Sequence, residues 1–444
     1  MPTRIAAVIM AGGLGTRMHS EVPKHLHPLL GKRLVEWPIA AARSLDPERL
    51  VVVTSPGSAD AYDEGVEVAV QERPLGTGDA VAAARGVLDG FEGGVLIIPG
   101  DAPLVTTEIL EEVVDAHRRE QPTVTLLTFT SPVPLAYGRI IRDEDGNVVR
   151  IVEEKDATAE ERAIQELNAS FYLFEADALW RALERLDADN AQGELYLTDA
   201  VEHVVAEGGR VLAHRSHADP GELVGVNTRA ELALAAAELR DRINERHMLT
   251  GVTIVDPQTA WIDESVELEP DSTVHPFTVL RGTTRVSAGA EVGPHAVAHD
   301  AEIGPGALVG PFCYLRPGTI LAAGAKAGTF VEIKNTHVGE RSKVPHLSYI
   351  GDADIGEDSN IGAGAITANF PHDPDLPKQR TKIGANVRTA VHNAFVAPVE
   401  IGDDSWTAAG SVITDDVPPG SLAGFPPRQI TKEGYVRAER DDRD

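Results

Sequence analysis

Only one cysteine, Cys313, stands in 444 residues. An intramolecular disulfide and any site built from several thiolates are therefore excluded. Basic residues are scarce as well: 40 Lys and Arg face 69 Asp and Glu, a net charge of −29. This argues against nucleic acid as a partner, because a phosphate backbone needs basic surface. A local group of cations can still hold a small anion against that global sign. No apolar run reaches the length of a membrane span, and the N-terminus lacks a signal-peptide layout. No membrane insertion and a cytoplasmic location are the expectations. What is present in ordinary amount is apolar residue, 42%, enough for two domains with separate cores.

The stretch from Ala11 to Lys24, AGGLGTRMHSEVPK, follows an apolar run, Ile5–Met10. That run reads as a buried strand. Gly12, Gly13 and Gly15 let the backbone turn and bring its N–H groups to a ligand. Arg17 and Lys24 are placed to meet negative charge, so the stretch reads as a phosphate site. It is no Walker A loop, lacking Gly-Lys-Ser/Thr. It is no dinucleotide fingerprint either, lacking the third glycine of that motif.

From residue 1 to 228, strand-like runs (Leu50–Val53, Val95–Ile98) alternate with helical spacing (Asp79–Leu88, Thr107–His117). The alternation predicts a Rossmann-like, mostly parallel sheet with helices on both faces. Ligands of such sheets sit at the carboxyl ends of the strands. Asp101, after the second of these runs, is there a helix cap or a carboxylate for Mg²⁺. Gln71 and the Leu75–Gly78 turn suit close contact with a flat base. The stretch 229–249, rich in Ala, Leu, Glu and Arg, predicts a linker helix capped by Asn227 or Thr228.

From 250 to 430 the period becomes six. Ile262, Leu268, Val274, Leu280, Val286 and Val292 form one run, and Val297, Ile303, Val309, Leu315 and Leu321 another. Val338, Val344, Ile350, Ile355 and Ile361 follow, then Ile383 to Ile413. This spacing predicts a parallel β-helix with the aliphatic residues inward. A Pro-rich, charged excursion interrupts it at 369–382. Residues 431–444 read as a charged tail, disordered from Arg437.

In order, AGGLGTRM…PK, Gln71 with LGTG, PGDAPL, YGR, IVEEKDA, LNASFY and GVNTR resemble a known family. It is the bacterial bifunctional N-acetylglucosamine-1-phosphate uridylyltransferase / glucosamine-1-phosphate N-acetyltransferase. The resemblance implies a left-handed β-helix, a homotrimer, and synthesis of UDP-N-acetylglucosamine from acetyl-CoA, glucosamine-1-phosphate and UTP through N-acetylglucosamine-1-phosphate. It implies that Gly12, Gly13, Arg17 and Lys24 meet the nucleotide phosphates and that Gln71, Gly76 and Thr77 meet uracil. Asp101 and Asn227 would hold Mg²⁺, and Gly138, Glu153 and Asn168 would contact the sugar.

In the second half the resemblance gives His346, in KVPHLSYIGDA, the role of base. An amine must lose a proton before it attacks acetyl-CoA, and histidine titrates in the right range. Arg316, Lys334, Tyr349, Asn360 and Lys378 would form the sugar-phosphate site, and Ala363, Asn369 and Ala409 would meet acetyl-CoA.

The chain departs from the pattern in several places. His25 stands where an aliphatic residue is expected, and Phe370 where Tyr is. Ala390-Val391 replaces Gly-Ser, and Phe425-Pro426-Pro427 replaces a segment that carries a cofactor-binding Arg. The rival reading is a single-activity sugar-1-phosphate nucleotidylyltransferase whose β-helix only assembles subunits.

Overall fold

The computed structural model describes residues 4–435 apart from 14, 63–64, 132–134, 372, 374, 426–428 and 434. The expected tail from Arg437, Leu14 of the glycine loop, and Pro426, Pro427 and Arg428 lie outside the described residues. The chain forms two compact units that divide between Leu239 and Arg240.

The first unit is built on a sheet whose main path carries seven strands among the described residues. Their order is Val211–Arg215, Val124–Thr130, Glu166–Glu175, Gly94–Pro99, Ile5–Ala11, Arg49–Thr54 and Glu67–Val70. All pair in parallel except Glu166–Glu175, which runs antiparallel to both neighbours. The sheet is thus mostly parallel, as the alternation predicts. Side chains of the first strand alternate between two cores. Ala6 and Val8 face the helices Thr77–Ala83, Ala176–Leu183 and Asp199–Ala206, while Ile5, Ala7 and Ile9 face Glu36–Arg43 and Thr107–Glu120. Burying a Val or Ile in this way contributes about 1.5–3 kcal/mol, so a strand buried on both faces reads as a continuous apolar run. The helix expected over Asp79–Leu88 is shorter and earlier, Thr77–Ala83. Gly86 follows, and glycine is a poor helix former.

The helix Arg229–Leu249 forms as the linker stretch predicts. Of the two candidate caps, Thr228 is the one used. Glu231 N donates to Thr228 Oγ1 at 3.2 Å, and Asn227 N and Thr228 N donate to Glu231 Oε2 at 2.7 and 2.9 Å. This reciprocal pattern satisfies backbone donors at the helix start. It leaves the Asn227 side chain for other contacts.

The second unit is a left-handed parallel β-helix. Its coils stack into three sheets of six, nine and eight strands among the described residues. Val274, Leu280, Val286 and Val292 point inward, fully buried. One expectation is corrected here: Val297 faces outward, half-buried, and Ala298 is the buried residue. Leu280 pairs with Ala298 but Val286 pairs with Ile303, so the coil loses its residue after Ala298, not before Val297. Ala327 and Ile333, both buried, fill the gap that spacing leaves between Leu321 and Val338. The excursion leaves the second sheet after Ala368 and returns at Thr381, where Ala353 and Ile355 pair with Thr381 and Ile383.

Candidate active sites

A cavity of ≈ 530 Å³ opens at the carboxyl ends of the Ile5–Ala11 and Gly94–Pro99 strands. Gly12, Gly13, Arg17, Lys24, Gln71, Gly76, Thr77, Asp101 and Asn227, nine residues distant in sequence, all line it. Two glycines are required by geometry. Gly15 has φ +60° and lies against the Lys24 side chain, and Gly76 has φ +127° and lies against the Leu195 backbone. A Cβ at either would meet those atoms in a backbone region that L residues rarely adopt.

The polar groups of this cavity are already linked. Lys24 Nζ donates to Asp101 Oδ2 and, at 3.2 Å, to Asn227 Oδ1; Arg17 Nη2 donates to the same Asn227 Oδ1 at 2.8 Å. Asp101 and Asn227 therefore present their oxygens to one point. Hard oxygen donors of this kind suit a small divalent cation that keeps water and phosphate as its other ligands. Gln71 is buried, and its Nε2 donates to Asp79 Oδ2 at 2.8 Å and to Gly76 O at 3.1 Å. Thr77 Oγ1 accepts from Leu197 N at 3.0 Å, which ties the Gly-Thr-Gly turn to the Leu195–Leu197 segment.

Gly138, Glu153 and Asn168 do not line this cavity. Gly138 and Asn168 are brought together, Asn168 N donating to Gly138 O at 2.8 Å. Asn168 Oδ1 accepts from Ser170 N at 3.1 Å, and Ser170 does line the cavity. Glu153 accepts from Thr198 Oγ1 at 3.2 Å, and burial pushes its carboxyl above the ordinary range.

Three contributors, Ser170, Glu194 and Gly225, are not singled out by the sequence, and His25 is singled out only as a departure from the expected aliphatic residue. Ser170 and Glu194 line the cavity. Gly225 packs against the Asp101 carboxylate and donates its N–H to Tyr137 Oη at 3.0 Å. His25 is buried in the wall, and its Nε2 finds no hydrogen-bond partner among the described residues. Burial, then the Lys24 charge, pushes its imidazole down to about 4 while Asp101 opposes. Ser170 and Gly225 sit inside the LNASFY and GVNTR motifs; nothing in the sequence points to Glu194.

In the second unit a cationic group gathers on the second sheet. Lys378, then burial, pushes the Lys334 amine below its ordinary value, with Arg316 adding and Asp352 opposing. Arg316 Nη1 pairs with Glu332 at 2.8 Å. Beside them Asp352 accepts from Asn335 and Asn369, and Asn369 also reaches Tyr349 Oη at 3.5 Å. Burial would raise Asp352, but those amides and the Lys334 and Lys378 charges bring it below the usual range. Like charges gathered on one face suit an anion that joins them.

His346, Ala363 and Ala409 lie along one corner of the coils. Gly364 N donates to His346 O, His392 N to Ala363 O and Gly410 N to Val391 O. Asn360 stands on the neighbouring first sheet between Lys343 and Arg388. His346 is exposed. Its ring makes no hydrogen bond to Tyr349, Asn360 or the two lysines among the described residues.

Residues 7–249 match the MobA-like NTP transferase domain. Over nearly the whole chain, three curated relatives carry the name "bifunctional protein GlmU". The protein of Corynebacterium glutamicum is 44% identical over 98% of this chain and 94% of its own length. That of Mycolicibacterium gilvum is 46% identical over 98% and 92%, and that of Mycobacterium bovis 43% over 99% and 93%.

Proposed function

The chain belongs to the bifunctional GlmU family, and we propose that it makes UDP-N-acetylglucosamine in two reactions. The second unit transfers acetyl from acetyl-CoA to glucosamine-1-phosphate. The first unit then transfers uridylyl from UTP to N-acetylglucosamine-1-phosphate and releases pyrophosphate. The observation that carries the reading is the convergence of Arg17, Lys24, Asp101 and Asn227 in one cavity.

The uridylyl step fits that residue set. A sugar-1-phosphate oxygen is already anionic, so the site needs no base; it must align two anions and absorb charge as pyrophosphate leaves. Arg17, Lys24 and the N–H groups of Gly12 and Gly13 hold the triphosphate, and Gln71, Gly76 and Thr77 seat the uracil. Gly138, Glu153 and Asn168 seat the sugar beside Ser170. Mg²⁺ at Asp101 and Asn227 neutralises phosphate charge when bound.

The acetyl step needs a base for the ammonium and cations for the phosphate. His346 is the base, and Arg316, Lys334 and Lys378 receive the phosphate with Tyr349 and Asn360 beside it. Ala363, Asn369 and Ala409 meet acetyl-CoA. The domains run 1–228, 229–249, 250–430 and 431–444.

Assembly as a homotrimer has support in an exposed aromatic column on one corner. Phe277, His295, Phe312 and Phe330 stack with centroids 4.7, 4.8 and 5.3 Å apart. The three phenylalanines are about half exposed, and apolar surface gathered like this marks an interaction site. No described helix is long and apolar enough to cross a membrane, and the proposed location is the cytoplasm.

The test is a two-reaction assay on the wild type and on His346→Ala. The variant is expected to lose acetyl transfer and to keep pyrophosphate release from UTP and N-acetylglucosamine-1-phosphate. A wild type that releases pyrophosphate but never transfers acetyl would leave the β-helix as a scaffold; Val391, apolar and 45% exposed in place of a Ser, is the feature that favours this second reading.

A further inference from the structure

Asn227 Oδ1 accepts from two cations at once, Arg17 at 2.8 Å and Lys24 at 3.2 Å. An amide oxygen has two lone pairs, so both are engaged. Lys24 also holds Asp101 Oδ2. The oxygens read above as the metal's ligands are therefore occupied by the chain's own cations.

This is no loose surface pair. The Lys24 side chain is only 13% exposed and that of Asp101 25%, and Gly15 packs against the Lys24 Cβ. The acceptors are fixed too. Asn227 Nδ2 donates to Gly225 O at 3.2 Å, its backbone N–H is held by Glu231, and Val226 N donates to Asp101 O at 2.8 Å. A divalent ion entering this arrangement would stand beside the partly buried Lys24 ammonium and the exposed Arg17 guanidinium, and repulsion from the partly buried charge is the less screened of the two.

We propose that Lys24 and Arg17 are a gate on the metal site, holding Asp101 and Asn227 until phosphate oxygens draw the two cations away. The inference rests on the reading of Asp101 and Asn227 as metal ligands. Its physical content is an exchange of partners. Phosphate oxygens form charge-assisted hydrogen bonds with both cations, and Lys24 reaches them because its ammonium rides on a flexible four-carbon stem. Release of the carboxylate and the amide oxygen then completes a site of hard donors at the moment an anion is present to share the ion. Metal and nucleotide consequently bind together, and each strengthens the other.

Mn²⁺ binding to the nucleotide-free protein, followed by the electron paramagnetic resonance signal of free Mn²⁺, tests this. Lys24→Met keeps the side-chain length and removes the charge. It is expected to bind Mn²⁺ at least tenfold more tightly than the wild type, and Lys24→Met with Asp101→Asn is expected to lose that gain. A gain of binding that depends on Asp101 cannot come from misfolding. Equal affinity in the wild type and Lys24→Met overturns the gate while leaving the metal site intact. A gain that survives Asp101→Asn overturns the metal-ligand reading itself.

Discussion

His25→Val tests the electrostatics of the first unit directly. His25 is 2% exposed, and its Nε2 has no hydrogen-bond partner among the described residues. Burial pushes its imidazole from the ordinary 6.5 down to about 4, with the Lys24 charge adding and Asp101 opposing. The unfolded chain therefore binds a proton that the folded chain refuses between those values. The His25 contribution to native stability is unchanged above pH 6.5, falls as pH drops below it, and stops falling near pH 4. Each pH unit in that window costs the native state about 1.4 kcal/mol, so the loss between pH 8 and pH 5 is about 2 kcal/mol. Val carries no titrating group, so the variant lacks this slope. Urea unfolding of both proteins at pH 8, 7, 6 and 5, read through Trp37 and Trp180 of the first unit, gives the comparison. Absolute stability at pH 8 is set by two opposed changes, removal of an unpartnered buried nitrogen and the space that valine leaves. The diagnostic quantity is the difference between the two pH slopes. Parallel lines from pH 8 to pH 5 would refute the reasoning and place a polar partner at Nε2.

Two further outcomes follow from the same structure. Asp199 is pushed up to about 6, first by burial and then by the Glu153 and Glu202 charges. Its ionised form costs the native state above pH 6, so Asp199→Asn should stabilise the first unit by about 1–2 kcal/mol at pH 8 after screening is allowed for; the gain should vanish below about pH 4, which chemical denaturation at the two pH values checks. Gly76→Ala forces a side chain against the Leu195 backbone at φ +127° and should lower uridylyl transfer by about 10² through misplacement of the Gly-Thr-Gly turn, with acetyl transfer by the same preparation unchanged.

Strand order and site are legible in unequal measure. Ile5–Met10 is apolar because both faces of its strand are buried, and that leaves a mark in local sequence. The hexapeptide period is legible for the same reason, since each coil places an aliphatic residue in the same core. Spacing alone puts Val297 inside because valine and alanine both suit an inward position; the parallel pairing of Leu280 with Ala298 decides between them. Helical spacing starts the Thr77–Ala83 helix too late because its anchors are far along the chain, where Leu197 N and the Leu195 carbonyl hold Thr77 and Gly78.

By itself the sequence determined the two architectures, the linker helix and the identity of the cations and carboxylates, because periodicity and residue chemistry are local properties. Only the tertiary structure decided which of these groups meet. Lys24, Asp101 and Asn227 are far apart in the chain, and their contact depends on two neighbouring strands and a helix cap ending at one place. Only it showed that Thr228 takes the cap and frees the Asn227 amide, and that His25 is buried against a cavity with its Nε2 unpartnered among the described residues. Burial and hydrogen-bond pairing depend on every neighbour in space, whereas a motif records only the neighbours in sequence.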